Sequence, residues 1–288
     1  MLQSSGARGS TLTAGGFAAV RTAGFEPVGQ VFGAAVYSAG SDTGGGCPGA
    51  PGPPGDGPRP RPTTQVSGWG GTGSFGPLVQ AVDQARHTAV GRMITECAEL
   101  GGHGVVGVRV SRDMFPIGGA QFTVIGTAVR APGARQGQSA PFTSDLSGQD
   151  FAKLITTGWV PVGLVLGISI GSRHDDRDVA RQARWSSGNT EVAGWADLVS
   201  QTRHDARSQL ERDVRRLGAE GAVISAMQMR VRQRACPVTV GRHDHIVEAT
   251  LIGTAIVRFS RADARHDGPA LAIMSLDPQR RQAARSRI

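Results

Sequence analysis

The chain has 288 residues, an aromatic content of only 5% and a formal charge of +8. This length is typical of about two domains. The charge comes from 31 basic residues, of which Lys153 is the only lysine. Because so strong an arginine bias is common in GC-rich bacterial genomes, it is weak evidence for a nucleic-acid partner. The scarcity of aromatic side chains, on which unpaired bases would stack, also disfavours nucleic acid.

Signals for secretion or membrane insertion are missing from the sequence. The opening stretch, MLQSSGARGS, has no apolar segment of the secretory type. The longest apolar run, Trp159 to Ile170, is interrupted by proline and glycine and is shorter than the roughly 20 residues that cross a bilayer. The three cysteines do not form an even disulfide set. We therefore expect a reduced, cytoplasmic protein with no membrane partner.

The first half of the chain predicts one domain over residues 12–130. A short element at GGFAAVRTAG precedes the glycine-dotted strand VGQVFGAAVYS. Residues 41–68 are dominated by proline and glycine, which predicts a mobile loop outside the core. A helix from about Pro77 to Leu100 carries apolar residues at three- and four-residue steps. The strands HGVVGVRV and AQFTVIGTAV complete the domain.

The second half predicts the same succession of elements. Residues 131–145 are read as a linker, and a second domain follows over residues 146–260. Its strand VGLVLGISIGS precedes a helix whose apolar face includes Val199 and Leu217, and the strands EGAVISAMQMRV and HIVEATLIGTAIV follow. Residues 261–288 are predicted to be a basic, mobile tail.

Four sequence blocks recur in the same order in the two halves. GFEPVGQVFG, from Gly24, is echoed by GWVPVGLVLG, from Gly158. The blocks QARHTA, ELGGHGVVGV and VIGTAVR are echoed by QTRHDA, RLGAEGAVIS and LIGTAIVR. Such an ordered repeat indicates a tandem duplication. Each copy predicts a strand–helix–strand–strand unit, so the fold class is α+β with one long helix on a small antiparallel sheet.

The junction ELGGHGVVGVRV after a long helix, together with FTVIGTAV and VGQVFGAAV, resembles the YbjQ family, which carries a heavy-metal-binding label. The resemblance covers both copies, from Gly24 to Arg130 and from Gly158 to Arg258. It implies tandem dodecin-like β-α-β-β modules and a ring-shaped homo-oligomer, usually a pentamer. The copies could alternate within one ring or form two stacked rings. Stacking is favoured because like-with-like contacts let each interface specialise.

Three cysteines and two histidines are the candidate metal ligands. Cys97 lies on the apolar helix face and is interpreted as a core residue. Cys47 lies in the proline-rich loop with no histidine nearby. Cys236, His243 and His245 would come together if their segment is a hairpin, and thiolate with imidazole suits zinc or copper. The alternative is a solvated hairpin tip, and no cofactor follows with certainty.

An arginine–histidine pair recurs in both predicted helices, as Arg86–His87 and Arg203–His204. Adjacent residues on a helix point about 100° apart, so the pair is not a preassembled catalytic relay. Arginine is enriched at interfaces. We therefore interpret these four residues as an inter-copy or inter-subunit contact.

Catalytic motifs are missing from the sequence, which contains no nucleophile-elbow, dinucleotide-binding or P-loop pattern. We expect a protein that is not an enzyme. Two functions remain open. The chain is a non-catalytic oligomeric scaffold or binding module whose partner is itself, or another protein reached through its loops; alternatively, it is a heavy-metal-binding protein with sites in the second-domain loops.

Overall fold

The computed structural model describes residues 9–38, 64–68, 75–114, 119–133, 140–175, 177–183, 188–235 and 243–259. Two antiparallel-rich sheets, each covered by one long helix, make up this part of the chain, so the α+β class is confirmed. The helices are α1 (Ala14–Thr22), α2 (Gly76–Glu99), α3 (Gly148–Thr156), α4 (Arg177–Gln182) and α5 (Ala193–Arg216). The strands are β1 (Glu26–Ser38), β2 (Thr64–Ser67), β3 (Gly104–Met114), β4 (Gly119–Arg130), β5 (Phe142–Thr143), β6 (Trp159–His174), β7 (Gly221–Ala235) and β8 (His243–Arg258).

The first sheet has the strand order β1-β4-β3-β5, and the second has the order β2-β6-β8-β7. In the first sheet, β4 pairs with β1 on one side and with β3 on the other. In the second sheet, β8 pairs in the same way with β6 and β7. The predicted strands and long helices are thus confirmed, with ends that differ by a few residues. The short predicted elements before β1 and β6 are the helices α1 and α3.

Local sequence accounts for the helix ends. Thr13 and Ser147 cap α1 and α3, their hydroxyls accepting a backbone N–H at 3.1 Å in both cases. After α2 and α5 the chain turns through Gly101 and Gly218, whose φ angles are 71° and 64°. This left-handed conformation favours glycine, which explains why the sequence places glycine after both long helices.

Two glycines let the long helices approach their sheets closely. A Cβ on Gly33 would lie 1.9 Å from the Ala89 carbonyl oxygen of α2. A Cβ on Gly167 would lie 1.9 Å from the Ala206 carbonyl oxygen of α5. No side chain fits at either position, so the strand and the helix backbone are in direct contact there.

Two segments differ from the sequence-based expectation. The loop predicted over residues 41–68 contains β2, which pairs with β6. The linker predicted over residues 131–145 contains β5, which pairs in parallel with β3. Each short strand pairs with a strand of the other half. Its formation therefore depends on that contact, and its own sequence was not sufficient to predict it. Residues 41–63 of the predicted loop, which include Cys47, and the predicted tail from residue 261 lie outside the described residues.

The apolar cores lie between each helix and its sheet and also between the two halves. Cys97 is fully buried in the first core, as predicted. Its Sγ donates to the Gly104 carbonyl oxygen at 3.4 Å, and burial raises the thiol pKa to about 11. In the described residues, no helix is both long and apolar enough to cross a membrane.

Candidate functional site: the junction between the halves

The second sheet packs with its outer face on the helix-bearing face of the first sheet. Gly167 of β6 faces α5, so its neighbours along the strand point the other way. Those neighbours, Leu166 and Ile168, join the core of the first half beside Val108 and Phe122. Leu166 is only 3% exposed. One apolar core therefore contains side chains from both halves of the chain.

An arm from the second half completes the edge of the first sheet. It comprises Phe142 to Leu146 and runs along the outer edge of β3. Four backbone hydrogen bonds join the two segments: Phe142 N to His103 O at 3.2 Å, Ser144 N to Val105 O at 2.8 Å, Gly107 N to Leu146 O at 3.1 Å, and Val108 N to Ser144 O at 2.9 Å. The arm therefore protects an edge that would otherwise be open.

A buried ion-pair cluster joins the two long helices. Arg86 of α2 is 3% exposed and donates to Asp213 of α5 at 3.0 Å. It also donates to Asp83, one helical turn away, at 2.7 Å. Asp213 receives a second bond from Arg216 at 2.9 Å. Two carboxylates thus neutralise the guanidinium, so the cluster is satisfied as a structural contact.

The neighbours of Arg86 titrate abnormally because they are partly removed from water. Burial raises the pKa of Asp83, and the Arg86 charge and hydrogen bond reduce this rise. Burial and the Arg86 charge together lower the pKa of His87, an effect that Asp83 opposes. Both groups respond to the same guanidinium, so the cluster is coupled electrostatically.

The second arginine–histidine pair lies in a different environment. Arg203 and His204 are exposed on α5, whereas Arg86 is buried on α2. The structure therefore brings Arg86 into the junction between the halves and leaves the matching Arg203 at the surface. Asp213 could not be recognised from the sequence, since an acidic residue on a charged helix face is not distinctive.

A cleft of about 260 Å³ opens between the two sheets. It is lined by apolar side chains and by four charged ones, Arg112, Asp113, Arg230 and Glu248. Arg112 donates to Glu248 and so bridges the first sheet to the second. Burial raises the pKa of the nearby Tyr37. The positive charge of Arg112 opposes this rise in pKa, and the negative charge of Glu248 adds to it. The sequence offered no signal for this cleft, because its residues lie far apart in the chain.

Two of the predicted metal ligands, His243 and His245, lie in the first residues of β8. His245 Nε2 is 2.9 Å from Asp175 Oδ1, and the imidazole lies 4.6 Å from the Trp195 ring. His174 Nδ1 is 2.9 Å from the fully buried Asp244. Two histidine–carboxylate pairs thus flank the strand, and both were unpredicted as pairs.

The third predicted ligand cannot be placed beside these groups. The predicted hairpin is present, with Ala235 opposite His243 across β7 and β8. Cys236 follows directly but lies outside the described residues. Among the described residues, no three histidine, cysteine, aspartate or glutamate side chains form a group that could hold a metal ion. The metal site therefore stays a prediction.

Comparison with known proteins identifies the family. The chain is 31% identical over 261 residues to the encapsulin nanocompartment protein Rv1762c of Mycobacterium tuberculosis, a match that covers 86% of this chain and 85% of that protein. The chain belongs to the Rv1762c family. The match therefore spans both halves of this chain.

The Rv1762c-family chain also contains a matched smaller module. A YbjQ family model described as "Putative heavy-metal-binding" matches residues 68–132, which include α2, β3 and β4. The protein TTHA1944 of Thermus thermophilus, of the group UPF0145, is 38% identical over 64 residues; this covers 22% of this chain and 56% of that protein. The YbjQ resemblance is thus confirmed in the first half, and in the second half it stays a prediction.

Proposed function

We propose that this protein is a non-catalytic, self-assembling scaffold built from two YbjQ-like modules that arose by tandem duplication. The relative's name associates that protein with an encapsulin nanocompartment. We extend this association to the present chain as a component of such a compartment, with its partners being copies of itself and a further protein reached through its loops.

The observation that carries the proposal is the way the halves join. One half extends an arm that completes the sheet of the other, and the sheets stack over a shared core. Joining by strand addition and sheet stacking is a mode that can repeat from one chain to the next. The charged groups at the junction, Arg86 and Arg112, are paired with the acids Asp213 and Glu248.

The duplication is supported by matching structural detail. Gly33 and Gly167 contact matching carbonyl groups, and Met93 and Leu210 are both fully buried under matching strands. Thr127 and Thr254 are also both fully buried and accept matching hydrogen bonds. We propose that each half is one dodecin-like module, with residues 12–130 and 146–260 as the two units.

The proposed assembly is a closed homo-oligomeric ring. Because the arm makes the halves direct neighbours within a chain, their contacts favour halves that alternate around one ring over two stacked rings. A ring of whole chains then contains an even number of modules. The pentamer that the family resemblance suggests has five modules, an odd number, so one ring of alternating halves would differ from it in module count.

Native mass spectrometry with light scattering tests the scaffold proposal. At micromolar concentration we expect a single closed oligomer whose mass gives the number of chains. A dominant monomer would overturn the proposal. Co-purification with a nanocompartment shell tests the second part, and a chain that never accompanies the shell would overturn that part alone.

A heavy-metal-binding function is the second candidate, favoured by the family description and by the pairing of Ala235 with His243. Cys236 directly follows Ala235 in the chain, and we propose that it would share a site with His243 and His245 at this end of the hairpin. Elemental analysis of purified protein tests it. We expect zinc or copper at one ion per chain, lost in Cys236→Ser; absence of metal from protein purified without chelator would contradict it.

A further inference from the structure

Each half has an arm, an outer strand edge and two sheet faces. The contact between the halves occupies the arm of the second half and the strand edge of the first, and the matching arm and edge are left open. The first half has its own arm, Gly9 to Leu12, which matches Thr143 to Leu146 in the sequence repeat. The second half has its own outer edge, the stretch of β7 that matches Gly104 to Val108 of β3. Each open surface can therefore be compared with a matching surface whose partner is known.

The free arm has the same local structure as the docked one. In the docked arm, Ser144 Oγ and Asp145 N contact the Thr254 hydroxyl, both at 3.1 Å. In the first arm, Ser10 Oγ and Thr11 N contact the Thr127 hydroxyl at 3.1 and 2.9 Å. The arm is thus already held in the conformation that pairs with a strand, so little conformational entropy would be lost on docking.

The matching edge is the outer strand of the second sheet. β7 is the last strand in the order β2-β6-β8-β7. Its outer edge has no strand partner in the described part of the chain. The pairing of β7 with β8 is irregular between Ile224 and Ala226, and that of β3 with β4 is irregular between Val106 and Arg109. The two irregularities overlap in the repeat: in β3, Gly107 and Val108 are left out of the pairing and donate their N–H groups to the arm, whereas in β7 only Ser225 is left out.

The apolar faces show the same relation. Leu166 and Ile170 of β6, which face the first half, are 3% and 1% exposed. The matching side chains of β1, Phe32 and Val36, are 46% and 66% exposed. Large exposed apolar side chains that line one face of a strand indicate an interaction surface.

The complementary face is exposed as well. Val110, beneath the second sheet, is partly buried against the shared core. Its match on β7 is Met227, which is 52% exposed, and Val231 further along the strand is 66% exposed. These two residues lie on the α5 side of the second sheet, where the outer face of another sheet would stack.

Charge completes the correspondence. Within the chain, Arg86 of the first half pairs with Asp213 of the second. The matching residues are the exposed Arg203 of the second half and Glu96 of the first. An arginine and an acid therefore occupy the matching positions of the open surfaces, and one oxygen of Glu96 already accepts the Phe32 N–H at 2.7 Å.

We infer that a second copy of this chain docks head to tail on the open surfaces. The arm Gly9–Leu12 of one copy adds as a strand to β7 of the other, and Phe32 and Val36 pack on Met227 and Val231. The two surfaces differ, so the interface is heterologous and each chain can bind two others. This inference rests on the proposed self-assembly and specifies the surfaces that carry it.

The test uses one charged substitution on each surface. Phe32→Arg disrupts the arm side and leaves the β7 side intact, whereas Met227→Arg does the reverse. Both side chains are about half exposed in the single chain, so we expect both variants to fold, as checked by near-ultraviolet circular dichroism. Phe259→Arg, at a residue 53% exposed but outside both surfaces, is the matched control.

Native mass spectrometry gives the outcome. We expect the wild type and Phe259→Arg to form the same oligomer, and each surface variant alone to be monomeric. An equimolar mixture of the two variants should give one-to-one dimers and nothing larger, because a single intact pair of surfaces remains.

Three results would overturn the inference. A monomeric wild type would remove the proposed function together with it. An oligomer unchanged by both substitutions would overturn the inference alone and leave the scaffold proposal standing. Variants that are monomeric both alone and when mixed would show that the two surfaces do not meet each other.

Discussion

Arg86 and Arg203 occupy matching places in two helices, yet only Arg86 is buried. The repeated arginine–histidine pair could be found from sequence because both blocks are similar. The partner Asp213 could not, since it comes from the other helix and lies 127 positions away. At the scale of single residues, the sequence therefore predicts which side chains recur but not which of them become paired and desolvated.

Arg86→Met should destabilise the folded chain by about 3–5 kcal/mol, because it leaves Asp213 buried without its inter-helix partner. Chemical denaturation measures the change in the free energy of unfolding. Arg212→Met, which removes an exposed arginine one residue before Asp213, should change it by less than about 0.5 kcal/mol. Equal effects of the two substitutions would contradict a structural role for the buried pair.

Cys97 should be unreactive in the native protein. Burial raises its pKa to about 11, so at pH 8 almost no thiolate is present and no reagent reaches it. In a Cys47→Ser/Cys236→Ser variant, where Cys97 is the only thiol, we expect no reaction with a disulfide reagent at pH 8. The unfolded variant should react fully and so serves as the control, and rapid native labelling would show that the core opens.

Asp145 should make stability depend on pH. Burial raises the pKa of this carboxyl, although hydrogen bonds from the Ser225 and Thr254 hydroxyls reduce the rise. Since the folded pKa lies above the unfolded one, its stabilising contribution is complete below the unfolded pKa and is lost as pH rises through the folded pKa. Asp145→Asn should therefore gain stability relative to wild type between pH 4 and pH 7.

Urea denaturation across that pH range measures the difference between Asp145→Asn and the wild type. Glu191→Gln, which removes an exposed carboxylate from a loop, is the control and should follow the wild-type profile. A stability difference for Asp145→Asn that is constant with pH, or that declines toward pH 7, would contradict the prediction.

At the scale of elements, the long helices and the six principal strands follow from periodicity, glycine and β-branched residues. The two short strands do not. β2 and β5 consist of four and two residues, and each exists because an edge of the other half offers it hydrogen bonds. Such pairing depends on tertiary proximity, which a local pattern cannot encode.

Gly33→Ala and Gly167→Ala should each cost roughly 2 kcal/mol or more, because the added Cβ would lie 1.9 Å from a helix carbonyl oxygen. Gly91→Ala is the control within α2: nothing lies within 4 Å of its Cβ position. It should stabilise the protein by about 0.5–1 kcal/mol through helix propensity. Thermal denaturation compares the three, and a neutral Gly33→Ala would show that helix and strand are less tightly joined.

At the scale of the whole molecule, the shared core predicts that both halves unfold together. Leu166 belongs to the second half by sequence but is buried in the core of the first. Leu166→Ala should lower the free energy of unfolding by about 2–5 kcal/mol while leaving one cooperative transition. Calorimetry with agreement between calorimetric and van't Hoff enthalpies tests this, and two separate transitions would contradict it.

The α+β class, the two long helices, the main strands and the ordered repeat follow from the amino-acid sequence alone, because periodicity and the glycines at required positive φ are local properties. The sequence also indicated the recurring Arg86 and Arg203. Three features emerge only from the folded chain: the arm through Ser144 completes the first sheet, Arg86 pairs with Asp213, and Phe32 is exposed while Leu166 is buried. These features depend on which surfaces of the two halves meet. That choice is made by packing and hydrogen bonding between residues more than a hundred positions apart, where matching sequences acquire different neighbours.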